Sequence, residues 1–179
     1  MTPSRTPTKL LTALGALILS AGALAGCTPE PAATPTPTAA FASEDEAFAA
    51  AEEVYRAYND AVNLERRSDS SADPHDYLIG AALEGSLETT NKLKQEGLRI
   101  TGDSAVLSFS GDVAEVMIDA VTIRASICLD VSSTQILDES GADLTPQSRA
   151  DHVPLNVVFS GADSELLISE SNLDEDAAC

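Results

Sequence analysis

Apolar residues follow three regimes along this chain. From Leu10 to Ala25 they are nearly continuous, as Leu10, Leu11, Leu14, Leu17, Ile18, Leu19 and Leu24. Further on, Phe48, Ala51, Tyr55, Tyr58 and Val62 recur at three- and four-residue spacing, which draws one apolar face on a helix. Ser43-Glu44-Asp45-Glu46 fits a capping box at its start, with the Ser43 hydroxyl accepting from the Glu46 N–H and Glu46 reaching back to Ser43. Three acids at the positive helix end, and Arg66 and Arg67 at the negative one, suit the dipole. The pattern predicts a helix over about 44–66. Ser68 to Ala72 reads as a loop, and Asp73-Pro74 as the cap and first residue of a short helix. Leu83, Leu87, Thr90 and Leu93 or Lys94 mark the inner side of a further helix over about 82–95, which Gly97 ends.

From Leu98 the period changes to two, the spacing of a strand with one buried face. Leu98 and Ile100 open one strand, and Val106 and Phe109 lie in the next apolar run. Gly111-Asp112 reads as a turn, followed by an unusually long strand-like segment, Val113 to Val131. Thr134 to Asp138 is a further strand, and Val153–Phe159 with Leu166–Ile168 forms a final hairpin around Gly161-Ala162-Asp163. Pro154 points to an edge or a strand start, because proline brings no N–H to a ladder. Helices first and antiparallel strands afterwards predict an α+β fold, with one helical layer on a curved sheet. Residues 43–179 suffice for a single domain with a real core.

The first regime belongs to a different physical problem. Arg5 and Lys9 precede the apolar stretch, no acid occurs before Glu30, and small residues follow, which is the three-part pattern of an export signal. As a helix the stretch would span about 24 Å, short for a hydrocarbon core of about 30 Å. Leu24-Ala25-Gly26-Cys27 resembles the lipobox of bacterial lipoproteins, in which the cysteine is acylated and becomes the new N-terminus. Ala23-Leu24-Ala25 is itself an A-x-A site, so cleavage before Gly26 and simple secretion is the competing outcome. The resemblance implies residues 1–26 as signal peptide, a multiply acylated Cys27, and a cell-membrane location on the extracytoplasmic face. Residues 28–42 carry Pro29, Pro31, Pro35 and Pro37 and read as an extended linker. Thr28, Thr34, Thr36 and Thr38 could accept O-linked sugars, as in actinobacterial lipoprotein linkers. With Cys27 taken for lipid, Cys128 and Cys179 remain, and an exported compartment permits a disulfide between them. The alternative is a buried free thiol and a frayed tail.

Charge narrows the partners. The chain has 10 basic and 29 acidic residues, a net charge of −19, and Arg5 and Lys9 leave with the signal. Such a surface repels nucleic acid and offers no basic cluster to anionic lipid heads. No nucleophile elbow, phosphate loop or dinucleotide fingerprint is present, so no cofactor is implied. Asp69, Asp73, His75 and Asp76 lack the spacing of a calcium loop, and only His75 and His152 could serve zinc, so no metal site is assigned.

One helix of about 23 residues, two shorter helices and a curved antiparallel sheet resemble the nuclear-transport-factor-2-like (cystatin-like) fold over roughly residues 43–179. Ser126-Ile127-Cys128-Leu129-Asp130-Val131-Ser132-Ser133 and the terminal Cys179 look like small actinobacterial lipoproteins of this kind. In them an aromatic, often Trp, commonly sits in the last strand, where this chain has Glu165-Leu166-Leu167-Ile168. The fold hosts isomerases, dehydratases and non-catalytic binding or assembly domains alike, so function must come from a site. If residues 113–131 pleat regularly, Glu115 and Asp119 fall on the apolar face with Val113, Met117 and Val121. Burial would raise their pKa toward proton transfer, with a hydroxyl from Tyr55 or Tyr58, which the resemblance to the isomerases implies. A bulge would turn both acids outward. The expectation is a non-enzymatic, lipid-anchored module that binds an envelope protein or a small apolar ligand. A lyase or isomerase using Glu115 or Asp119, and a homodimeric assembly module joined through its sheet, are the rivals.

Overall fold

The computed structural model describes residues 40–162 and 164–179. The export segment, Cys27, the linker as far as residue 39 and Asp163 of the last turn lie outside the described residues. Helix α1 is Glu44–Arg66, a 3-10 turn covers Pro74–Tyr77, and helix α2 is Gly80–Glu96. The strands are β1 (Arg99–Thr101), β2 (Ala105–Val116), β3 (Val121–Asp130), β4 (Gln135–Leu137), β5 (His152–Ala162) and β6 (Glu165–Leu173). They form an antiparallel four-stranded sheet of order β2-β3-β5-β6 and a separate pair, β1-β4. This is an α+β arrangement with helices packed on antiparallel sheet.

The caps stand where the sequence places them, with one difference. Ser43 Oγ accepts from the Glu46 N–H at 3.2 Å, but Glu46 Oε2 accepts from the Ala42 N–H at 2.7 Å rather than from that of Ser43. The tie reaches one residue further upstream because Phe41, grouped with the linker by its neighbours' composition, is buried in the core. Asp73 Oδ1 accepts from the His75 N–H at 2.9 Å and caps the 3-10 turn. Gly97 ends α2 with φ 66°, a left-handed conformation in which glycine carries no Cβ penalty.

Two sequence expectations are corrected. Val113–Val131 is not one strand: its first four residues finish β2, the chain reverses through residues 117–120, and β3 returns. The Met117 N–H donates to the Ala120 carbonyl at 2.8 Å, and Glu115 and Val116 face Thr122 and Val121 across the hairpin. The tip holds exposed Met117 and Ile118, so no Gly or Pro announces the turn. Gly111-Asp112 is correspondingly not a turn but lies inside β2. Gly111 is there because any Cβ would collide with the Phe48 ring, and Asp112 falls at a register shift between Gly111 and Val113. A second shift lies between Val106 and Ser108. The two bulges reset the pleat, so the inward positions run Val106, Phe109, Gly111, Ala114, Val116 rather than every second residue. Pro154 stands near the start of β5, as expected: it pairs with Cys128 of β3, and the ladder to β6 begins only at Leu155. Its carbonyl accepts from the Asp174 N–H, just past the end of β6, so the absent proline N–H falls where no β6 residue needs it.

The core fills the space between α1 and the inner face of the large sheet. Ala47 and Ala51, fully buried, let α1 approach closely, and Tyr55 joins Val121, Ile123, Phe159 and Ile168 in one buried cluster. Tyr55 meets Tyr58 and Phe159 edge-on, with ring centroids 5.8 and 6.5 Å apart. Every buried residue of this cluster lies between Phe41 and Ile168, so the segment from Ala40 to Cys179 carries its own core and folds as a unit. Cys128 projects from the opposite face of β3 and is disulfide-bonded to Cys179, with Cα atoms 5.7 Å apart, so the tail is pinned back onto the sheet.

Candidate functional site

The helices do not close over the whole domain. The N-terminus of α2 is tied to the sheet, because the Ile79 N–H donates to the Ile168 carbonyl at 2.9 Å, while α1 leans on β2 and β3. Between the C-terminal half of α1 and the length of α2 lies a cleft of about 620 Å³. Val62, Leu78, Ala82, Leu93, Leu98 and Ile100 supply its apolar surface, and Tyr58, Arg66, Lys94 and Arg99 its polar one. That volume lies within the range of about 300–1,000 Å³ usual for small-molecule sites.

The residues singled out from sequence part company here. Glu115 and Asp119 are exposed and outside the cleft, Glu115 facing Arg124 at 4.0 Å on the outside of the β2–β3 hairpin and Asp119 at its tip. The bulge at Asp112 sets that parity, so neither acid of the lyase reading borders the cleft. Tyr55 belongs to the core, and burial, reinforced by neighbouring Tyr58, pushes its phenol well above the ordinary value. Tyr58 alone of the four borders the cleft. Burial raises its pKa, opposed by the Arg66 charge and aided by Glu65, so the hydroxyl stays protonated and available as a donor. Asp69 and Asp73 are spent on their own turns, accepting from the Ser71 and His75 N–H groups. Among the described residues no group of three or more His, Cys, Asp or Glu side chains is placed to hold a metal.

Two polar clusters at this end of the molecule escape a reading by apolar spacing. The first joins α1 to the β1–β2 loop. Asn59 and Asn63 donate to the Ser104 carbonyl at 3.0 and 2.9 Å, and Asn63 Oδ1 accepts from the Ser104 N–H at 2.9 Å. The Ser104 hydroxyl donates to Asn59 at 2.8 Å, and Arg66 donates to Ser104 Oγ at 3.1 Å. The pair continues the Ala51–Tyr55 stripe at four-residue spacing, which is its only trace in the sequence. All of these groups are satisfied, so the network holds the cleft's Arg66 side in place. Asn63→Ala removes the acceptor of a buried N–H and is expected to cost about 1–3 kcal/mol in denaturant unfolding. A loss no larger than that of a surface substitution would show the network to be dispensable.

The second cluster lies on the opposite wall. His75 Nδ1 is 2.9 Å from Asp73 Oδ1, and His75 Nε2 is 3.4 Å from Ser86 Oγ, which borders the cleft. With Nδ1–H donated to Asp73, Nε2 is left to accept from the serine, which is the hydrogen-bond order of a nucleophile relay. Ser86 sits in mid-helix, however, where the neighbouring backbone N–H groups are bonded within α2 and none is left to stabilise an oxyanion. The arrangement can orient a hydroxyl toward a ligand; it lacks the second half of an acyl-transfer site.

No known family model matches the chain, and no curated protein matches it. Among solved structures it is similar to the crystal structure of the intermembrane space region of the chloroplast protein ARC6, at 17% identity and TM-score 0.49, over 70% of this chain and 95% of that one.

Proposed function

We propose that this protein is a lipid-anchored, extracytoplasmic binding module of nuclear-transport-factor-2-like type that holds a small apolar ligand between α1 and α2. The cleft is the observation that carries this reading: it is large enough for a small molecule, lined by both apolar and polar side chains, and walled by hydroxyls and cations that would orient what enters. Anchoring rests on the tetrad ending in Cys27. Among the described residues no helix is long and apolar enough to cross a membrane.

Each half has its own test. A Cβ at Gly85 would meet nothing within 4 Å, and Gly85 borders the cleft, so Gly85→Trp fills the space without touching the core. Saturable 1:1 binding of the neutral dye Nile red to the 40–179 segment is expected, and Gly85→Trp should abolish it. Undiminished binding to the variant would place the apolar site elsewhere. For the anchor, Cys27→Ala is expected to abolish metabolic lipid labelling and release the protein from the membrane fraction. Retention of label and membrane in that variant would sink the lipoprotein reading.

A further inference from the structure

The cations of this acidic chain are not spread evenly. Against 29 acidic residues there are ten basic ones, and three of these, Arg66, Lys94 and Arg99, border the cleft between the helices. Glu65 is the one acid among the residues that line it. Elsewhere Arg56, Arg67 and Arg124 each find a carboxylate, in Glu52, Asp103 and Glu115, while Lys92 and Arg149 have none among the described residues within 4.0 Å. Among the described residues, none of the three cleft cations has a carboxylate within 4.0 Å. Arg66 and Arg99 donate to neutral oxygens instead. Arg66 donates to Ser104 Oγ at 3.1 Å and to the Gly102 carbonyl and Asn63 Oδ1 at 3.5 Å, and Arg99 donates to the Asp138 carbonyl at 3.2 Å. Arg66 is also half-buried, and that burial lowers its pKa, opposed by the charges of Tyr58, Asp103 and Glu65. Arg66 is thus a half-buried guanidinium that is hydrogen-bonded only to neutral oxygens, with no carboxylate among the described residues within 4.0 Å, so an entering anion would supply its direct charge partner.

We propose that the cleft takes an amphiphile of one aliphatic chain and one anionic head group, a carboxylate or a phosphate monoester, with its chain along Val62, Leu78 and Leu93 and its head among Arg66, Lys94 and Arg99. This rests on the reading of the cleft as a ligand site. An acidic peptide or a polyanion fits less well, because every charge beyond the first meets the field of a chain of net charge −19. The apolar chain supplies affinity through burial, and the cations fix which end points outward.

The test uses the 40–179 segment with cis-parinaric acid and its methyl ester, both below the concentration at which they self-associate. The acid should bind saturably at 1:1 and about tenfold more tightly than the ester. Lys94 and Arg99 are exposed, so Lys94→Gln with Arg99→Gln leaves the fold intact; Arg66 is kept because it belongs to the buried network. That double variant should weaken the acid about tenfold and leave the ester unchanged, and Gly85→Trp should abolish both. Laurate and dodecyl phosphate should displace the bound acid, and inorganic phosphate should not. Equal binding of acid and ester overturns the head-group assignment while the apolar cleft stands. Saturable binding of neither overturns both, and displacement by inorganic phosphate as effective as by laurate reduces the site to a plain anion site.

Discussion

Replacing Phe159 by Ala is expected to cost about 3–5 kcal/mol of folding stability, the largest effect of any single truncation in this domain. The ring is fully buried at the centre of the sheet, opposite Ile123 on β3 and Ile168 on β6, both also fully buried. Phe109 lies 6.2 Å away across the sheet, and Tyr55 reaches it from α1. These neighbours are held by three other strands and a helix, so they cannot all move inward to refill the void. The loss therefore includes the cavity as well as the transfer of the ring. Urea unfolding should show a lower midpoint with an unchanged slope. A cost below about 1 kcal/mol would mean that the site collapses freely and that the core is not organised around this ring.

Opening the Cys128–Cys179 bond is expected to cost about 4 kcal/mol in chain-entropy terms, since the cross-link closes a loop of sequence separation 51. Residues 174–179 form no strand, so the bond is what returns the C-terminus to the sheet. Cys179→Ser and treatment with a reductant should lower the unfolding midpoint by the same amount, because both remove one covalent constraint on the unfolded chain. Alkylation without reduction should find no free thiol in the 40–179 segment. Two reactive thiols, or a midpoint indifferent to reductant, would show that the tail is not fastened this way.

The local signals were legible because each is written within a few residues. Ser43, Asp73 and Gly97 cap what they are expected to cap, since a hydroxyl, a carboxylate or a missing Cβ acts on the backbone beside it. The disulfide was legible by counting once Cys27 was set aside. Strand parity was not. Glu115 sits on the same alternation as Val121, and only the unmarked turn between them sets the acid toward solvent and the valine toward the core. Nor could apolar spacing reveal Asn59 and Asn63, which are buried because Ser104 meets them from a loop some 40 residues later.

The chain's own pattern thus determines its helices, their caps, its cross-link, its acidity and the class of fold, all of which follow from short-range chemistry or composition. The cleft belongs to tertiary structure, because it is the space left where α2 is fastened to β6 and α1 lies across β2, β3 and β6. Arg66, Lys94 and Arg99 look like isolated surface charges in a line of letters. They face one apolar space because two helices and β1 meet there, and convergence of that kind depends on long-range packing rather than spacing.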